Sequence, residues 1–103
     1  MKKYNLHFSI KVLGSKYREL LNILETEQQL ELPSGCLSRT IYQSIEDLNS
    51  LSYLEGWKDL ELLENSMKRD RYEYVVGAIK NLSQDWSIEV FEQIEIDKFQ
   101  KIV

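Results

Sequence analysis

Three side chains in the sequence could take part in chemistry on a small molecule. His7 is the only histidine of the chain, and an imidazole exchanges protons near neutral pH, which makes it a candidate general base. Asn49 could position a substrate oxygen or donate a hydrogen bond to a developing oxyanion. Trp57 could stack on an aromatic substrate or contact it through its ring N–H. Each has a structural alternative: an exposed histidine on a strand, an asparagine in a turn, and a tryptophan that anchors the core.

Tyrosines and one charged cluster are the other candidates for a binding site. The chain has six tyrosines, and their apolar bodies with polar tips suit the wall of a cavity or the packing of a core equally well. The four tyrosines that could line a cavity are Tyr42, Tyr53, Tyr72 and Tyr74. The run Lys68-Arg69-Asp70-Arg71 could attract an anionic ligand to a cavity mouth, or it could be a solvated junction between two helices.

Composition limits the classes of protein to which the chain can belong. It has 103 residues, 13 Lys+Arg against 17 Asp+Glu, and a net charge of −4, which suits a single domain over residues 1–103. The acidic balance disfavours nucleic acid as a partner. No stretch reaches the roughly 20 apolar residues of a membrane span, and no apolar signal segment follows Met1, so we expect a cytoplasmic protein. With Cys36 as the only cysteine, we expect neither a metal site nor an intramolecular disulfide.

Apolar periodicity predicts the elements that must position these residues. Strict alternation over residues 4–12 predicts a strand, and helical spacing predicts a helix over residues 16–30, which Pro33-Ser34-Gly35 terminates. Alternation predicts further strands over residues 36–45, 51–57 and 87–96. In the first of these, the apolar residues predicted to share one side are Leu37, Ile41 and Ile45.

Two helices are predicted between the third and fourth strands. Asp59 is suited to cap a short helix whose apolar positions are Leu60, Leu63 and Met67. The pattern stops at the charged run, and a second apolar stripe continues from Tyr72 to Leu82.

The resulting βαββααβ order predicts an α+β ferredoxin-like sandwich, with a four-stranded antiparallel sheet covered by helices on one face. Three of the strands carry apolar groups on both faces, and a large exposed apolar surface usually marks an interface. We therefore expect a homodimer that forms sheet against sheet. The residue pairs that point to this are Ile41 and Tyr42, Tyr53 and Leu54, and Val90 and Phe91.

Several short motifs occur in an order that resembles the antibiotic biosynthesis monooxygenase superfamily. They are Gly35-Cys36-Leu37-Ser38, Ile41-Tyr42-Gln43, Glu46-Asp47-Leu48-Asn49, Leu54-Glu55-Gly56-Trp57, Leu62-Leu63-Glu64, Tyr72 and Gly77-Ala78-Ile79. The resemblance covers about residues 34–96. It implies a dimeric α/β-barrel that oxidises small aromatic or quinol compounds with O2, without metal or flavin, in a pocket between helices and sheet.

The resemblance also implies roles for individual residues. Asn49 and Trp57 match the family's asparagine and tryptophan, and Tyr72 stands where the family often has phenylalanine. Ser66 and Arg71 stand at two positions where the family often has histidine. Haem-degrading relatives use a later histidine, and the matching position is about Val76, which cannot ligate iron.

Two functions follow as hypotheses. The first is a cofactor-independent monooxygenase, with Asn49, Trp57 and His7 as catalytic residues. The second is a non-catalytic dimeric protein that binds a small aromatic ligand and has lost the family histidines. In both, the residues predicted to bind the small molecule are Tyr53, Tyr72, Ser66 and Arg71. An RNA-binding module of the same fold is disfavoured, since the sequence lacks the basic-Gly-aromatic motif of that class.

Overall fold

The computed structural model describes residues 2–94 as one antiparallel sheet with helices packed on one face. The elements are β1 (Lys3–Val12), a 3-10 turn (Gly14–Lys16), α1 (Tyr17–Gln29), β2 (Cys36–Gln43), β3 (Ser50–Trp57), α2 (Leu60–Ser66), α3 (Asp70–Leu82) and β4 (Ser83–Gln93). The strands lie in the order β2-β3-β1-β4, and every neighbouring pair is antiparallel. The predicted ferredoxin-like α+β fold is confirmed.

The core lies between the helices and one face of the sheet. Alternate residues of β1 point into it, as the pattern of the sequence predicts, while the residues between them face the other way. The helices contribute the apolar residues that recur at helical spacing, so local periodicity and burial agree. The buried core residues of β1, α1 and α3 are Leu6, Phe8, Ile10, Val12, Leu20, Leu24, Val75, Ile79 and Leu82.

The helix after β3 begins as the sequence predicts. The Oδ1 atom of Asp59 accepts a hydrogen bond from the backbone N–H of Leu62 at 2.9 Å, which satisfies one of the unpaired donors of the first turn. The short α2 ends at Ser66, and α3 begins at Asp70 inside the charged run. The charged residues therefore form the junction between two helices.

The prediction for the apolar side of β2 is wrong, because a bulge interrupts the alternation. Cys36 pairs with Trp57, but Ser38 pairs with the preceding residue, Gly56, so Leu37 is an extra residue that has no partner on β3. Leu37 is exposed, and Ile45 lies beyond the end of the strand with 95% of its surface exposed. The inner face of β2 is set by the register after the bulge.

The last strand starts earlier than predicted. It begins at Ser83, directly after α3, and not at residue 87, because Leu82 already ends the apolar stripe of the helix. The predicted end at Ile96 lies outside the described residues. Within residues 2–94, no helix has the length and apolar character that crossing a bilayer requires.

Candidate functional site

A cavity of about 200 Å³ lies between the sheet and the helices. Three strands supply its floor, which consists of Phe8, Arg39, Tyr53 and Glu55. Its walls come from α1 and the loop that follows (Glu27, Leu30, Glu31 and Pro33), from α2 and its junction (Ser66 and Arg69) and from α3 (Arg71, Tyr72 and Val75).

All four residues predicted to bind a small molecule line this cavity. Tyr53 lies on β3, Ser66 ends α2, and Arg71 and Tyr72 lie in the first turn of α3. The cavity therefore brings together groups from three elements of the chain.

Trp57 does not line the cavity. The side chain is buried in the core with 1% of its surface exposed, at the end of β3. Its Nε1–H donates a hydrogen bond to Oε1 of Glu55 at 3.3 Å. Through this hydrogen bond Trp57 holds a residue that lines the cavity.

Asn49 and His7 lie away from the cavity. Asn49 ends the β2–β3 turn, where its N–H donates to Oδ1 of Asp47 at 3.0 Å and its carbonyl accepts from the N–H of Val12 at 2.8 Å. His7 lies on the opposite face of the sheet from Phe8, because neighbouring residues of a strand alternate in direction. Its Nε2 is buried and has no hydrogen-bond partner among the described residues.

Four charged side chains form a chain of alternating sign through the cavity. Arg39 Nε lies 2.8 Å from Glu55 Oε2, Arg39 Nη2 lies 4.0 Å from Glu27 Oε1, and Arg71 Nε lies 2.6 Å from Glu27 Oε2. The side chains of Glu55, Arg39 and Glu27 are no more than 10% exposed, while that of Arg71 is 49% exposed. Alternation of charge makes their burial tolerable, since an isolated ion in the interior would be costly.

The Glu55 carboxylate is held by three donors. Besides Arg39 and Trp57, the hydroxyl of Tyr53 donates to Oε2 at 3.2 Å. A carboxylate has about four acceptor positions, so one position, on Oε1, is still free. These hydrogen bonds orient Glu55 at the floor of the cavity.

Both tyrosine hydroxyls in the cavity stay protonated at neutral pH. Burial, and then the charge of Glu55, raises the pKa of Tyr53 far above its ordinary value. The same two causes in the same order raise the pKa of Tyr72. In residues 2–94 the Tyr72 hydroxyl makes no hydrogen bond, so it can donate one to a molecule in the cavity.

Three aromatic rings form one continuous cluster. The ring of Phe8 lies 5.6 Å from that of Tyr53 and 6.1 Å from that of Tyr72, centroid to centroid, at interplanar angles of 42° and 49°. Such tilted contacts are favourable between aromatic rings, and a flat ring ligand could extend the cluster. Phe8 and Tyr53 are 1% exposed and belong to the floor, so Tyr72 is the ring of this cluster that the wall presents to the cavity.

The three most buried charged residues of the site were not predicted from the sequence, although two of them carried a signal. Glu27 follows Leu24 by three residues within the apolar stripe of α1, and Glu55 stands between Tyr53 and Trp57 on the inner face of β3. A charge at a core position is rarely buried without a partner, so both marked a polar site. Arg39 carried no such signal, because the bulge in β2 decides its face.

Neither a family model nor a curated protein matches this sequence. Solved structures do match. A Deinococcus radiodurans protein described as a candidate antibiotic biosynthesis monooxygenase has a TM-score of 0.81 and 18% identity, over 92% of this chain and 96% of that one. A similar candidate from Chloroflexus aurantiacus has a TM-score of 0.70 and 21% identity, over 92% and 94% of the two chains.

A protein of unknown function from Bacteroides thetaiotaomicron, described as a candidate oxidoreductase, also shares the architecture. Its TM-score is 0.80 at 19% identity, over 89% of this chain and 98% of that one. The TM-scores establish a common fold, and at identities this low the similarity extends no further than the fold. The resemblance drawn from the motifs is confirmed at that level.

Proposed function

We propose that this protein is a cofactor-independent monooxygenase of the antibiotic-biosynthesis type, which oxidises a small aromatic or quinol compound with O2. The observation that carries the proposal is the cavity between helices and sheet, which three aromatic residues help to line, in a chain that shares its fold with candidate monooxygenases. The four residues predicted to bind the substrate all line that cavity.

The proposed reaction needs no external electron donor. Hydroquinone and O2 together contain the atoms of hydroxybenzoquinone and one water, so one oxygen atom enters the ring and the other leaves as water. All four electrons that O2 takes up come from the substrate. The protein's task is to desolvate and orient the ring and to stabilise negative charge that develops on oxygen.

Tyr72 is the group we assign to that last task. Tyr72 lines the cavity, and its protonated hydroxyl makes no hydrogen bond within residues 2–94, so it is available to donate to an oxygen of the substrate. Trp57 acts as a positioning residue through Glu55. Asn49 and His7 lie outside the cavity, so we assign them no contact with a substrate bound there.

Oxygen consumption tests the proposal. We expect the purified protein to accelerate O2 uptake with at least one member of a panel of single-ring hydroquinones, above the rate with heat-denatured protein. Ser66→Phe places a ring inside the cavity and should abolish the acceleration, whereas Asn65→Phe, its exposed neighbour on α2, should not. Equal rates for the native and heat-denatured protein across the panel would contradict a monooxygenase.

A second candidate function is a non-catalytic protein that binds the same kind of molecule. It is favoured by Ser66 and Arg71, which stand where the resembling family often has histidine, and by the absence of histidine among the described residues lining the cavity. This function predicts thermal stabilisation by phenols without O2 uptake. A ligand at about 100 times its Kd should stabilise the protein by about 2.7 kcal/mol.

We further propose that the protein is a homodimer that associates through the open face of the sheet. Tyr42 and Phe91 lie on this face with 56% and 45% of their surfaces exposed, and Leu54 lies between them. The buried Nε2 of His7 lies on the same face and lacks a partner within residues 2–94. A second copy would cover the apolar groups and could supply that partner.

A further inference from the structure

The cavity presents different charged groups at its floor and at its mouth. The Glu55 carboxylate and the Arg39 guanidinium that binds it lie at the buried end, and the Glu55 oxygens accept three hydrogen bonds out of about four possible. Arg71 and Arg69 lie at the exposed end, where Glu31 is the acidic residue. Arg71 is paired with Glu27, and within residues 2–94 Arg69 makes no salt bridge, so the Arg69 guanidinium is available to an anionic ligand.

The guanidinium of Arg71 is held in place, but not all of its N–H donors have hydrogen-bond partners within residues 2–94. Its Nε is bound to Glu27, and its central carbon lies 5.2 Å from the centroid of the Tyr74 ring. Within residues 2–94 its two terminal Nη groups make no hydrogen bond. A fixed guanidinium with free terminal N–H groups matches the two oxygens of a carboxylate.

The size of the cavity limits the number of rings it can hold. A cavity of about 150 Å³ can hold one benzene ring. The volume here, about 200 Å³, therefore suits one ring with small substituents and not a fused polycyclic system.

We propose that the cavity takes a single-ring phenol that carries a carboxylate, with its hydroxyl directed to Glu55 and its carboxylate to Arg71 and Arg69. This inference rests on the proposed function and names its substrate class. The hydroxyl donates to the Glu55 carboxylate, the ring packs against Tyr72, and the carboxylate binds the guanidinium groups of the mouth.

Calorimetric titration of the wild-type protein tests the orientation with three probes. The first is 4-hydroxybenzoate, the second is 4-methylphenol, which has no carboxylate, and the third is benzoate, which has no hydroxyl. 4-Methylphenol and benzoate can each make only one of the two polar contacts. We therefore expect 4-hydroxybenzoate to bind about tenfold more tightly than either of them.

Two variants with the same change of charge test the mouth. Arg69→Gln removes a guanidinium that lines the cavity, and Arg18→Gln removes an exposed one on α1 that does not. Arg69→Gln should weaken the binding of 4-hydroxybenzoate about fivefold and leave 4-methylphenol unchanged. Arg18→Gln should change neither. Arg71→Lys keeps the positive charge but loses the paired N–H donors of the guanidinium. It should also weaken the binding of 4-hydroxybenzoate and leave that of 4-methylphenol unchanged.

The outcomes separate the two proposals. If 4-methylphenol binds as tightly as 4-hydroxybenzoate, or if Arg69→Gln and Arg18→Gln have equal effects, the acidic substrate class is overturned and an aromatic-binding cavity stands. If neither phenol binds, the substrate class and the proposed function both fail. Selective loss of 4-hydroxybenzoate binding in Arg69→Gln supports the inference, whether or not the protein consumes O2.

Discussion

The Nε atom of Arg39 lies 2.8 Å from Oε2 of Glu55, and the two residues are directly opposite each other on β2 and β3. Arg39 also donates from Nη1 to the backbone carbonyl of Glu27 at 3.1 Å. One guanidinium therefore joins the sheet to the end of α1 and orients the carboxylate on the cavity floor. The shape of the site and the stability of the fold depend on the same contact.

Replacing Glu55 by glutamine should destabilise the protein strongly. Glu55→Gln leaves the buried Arg39 guanidinium with only the more distant Glu27 carboxylate, 4.0 Å away, as a charge partner. The loss of a buried charge partner costs about 3 kcal/mol. Urea unfolding at equilibrium measures the change. The matched control is Glu92→Gln, which breaks the Lys2–Glu92 pair at 3.3 Å, where the side chains are 75% and 46% exposed. The control should cost less than about 1 kcal/mol, and equal losses would refute the structural role of Glu55.

Tyr53 should make stability fall at alkaline pH. Burial, followed by the charge of Glu55, holds the pKa of Tyr53 above its ordinary value of 10.0. A group whose pKa is raised on folding contributes stability that is complete below its unfolded pKa and is lost as pH rises toward its folded pKa. We expect the free energy of unfolding to decline above about pH 10 more steeply in the wild type than in Tyr53→Phe.

Urea unfolding at a series of alkaline pH values measures that slope. Tyr42→Phe, on the exposed face, controls for the loss of a tyrosine hydroxyl as such. If wild type and Tyr53→Phe have the same slope, Tyr53 does not carry the proton linkage.

Two glycines should respond to alanine in opposite directions. Gly35 has a φ of +89°, and a Cβ there would lie 2.6 Å from Cδ1 of Leu62, so Gly35→Ala should cost about 1–3 kcal/mol. Gly77 lies inside α3, and a Cβ there meets no atom within 4 Å. Gly77→Ala should therefore stabilise the protein by about 0.5–1 kcal/mol. Thermal unfolding measures both, and destabilisation by Gly77→Ala would contradict the open space at that position.

Tyr72→Phe should separate ligand binding from folding. Because the hydroxyl makes no hydrogen bond within residues 2–94, its removal should change the free energy of unfolding by less than about 0.5 kcal/mol. The affinity for 4-methylphenol should fall about fivefold, since a donor in the cavity is lost. Tyr74→Phe, on the exposed side of the same helix, is the control and should leave the affinity unchanged. If Tyr72→Phe binds 4-methylphenol with unaltered affinity, the Tyr72 hydroxyl does not contact the ligand.

Substitution of the open sheet face should abolish the proposed dimer. Phe91 and Val90 are neighbours on β4 with 45% and 44% of their surfaces exposed, and they point to opposite faces of the sheet. We expect native mass spectrometry to give twice 12.2 kDa for the wild type and for Val90→Lys, but a single chain for Phe91→Lys. A monomeric wild type would show that the open face is not an interface between copies.

The local pattern of the sequence was sufficient for most of the architecture. The alternation in β1, the stripe from Tyr72 to Leu82, the break at Pro33 and the cap at Asp59 each act over a few residues. Burial of one face determines such patterns, so the order of the elements and the sheet they form could be predicted. The same patterns placed Tyr53 and Tyr72 on faces that point into the core.

The tertiary structure alone decided how the polar groups of the site meet. The Leu37 bulge puts both Cys36 and Arg39 on the inner face, although three positions separate them, and no local pattern revealed this shift. Arg71 meets Glu27 across 44 positions of the sequence. The tertiary structure also decided that Asn49, in the turn between β2 and β3, lies away from the cavity. The sequence by itself determined which apolar residues of β1, α1 and α3 are buried, because their burial follows from local periodicity. The inner face of β2 and the pairing of buried charges depend on strand register and helix packing.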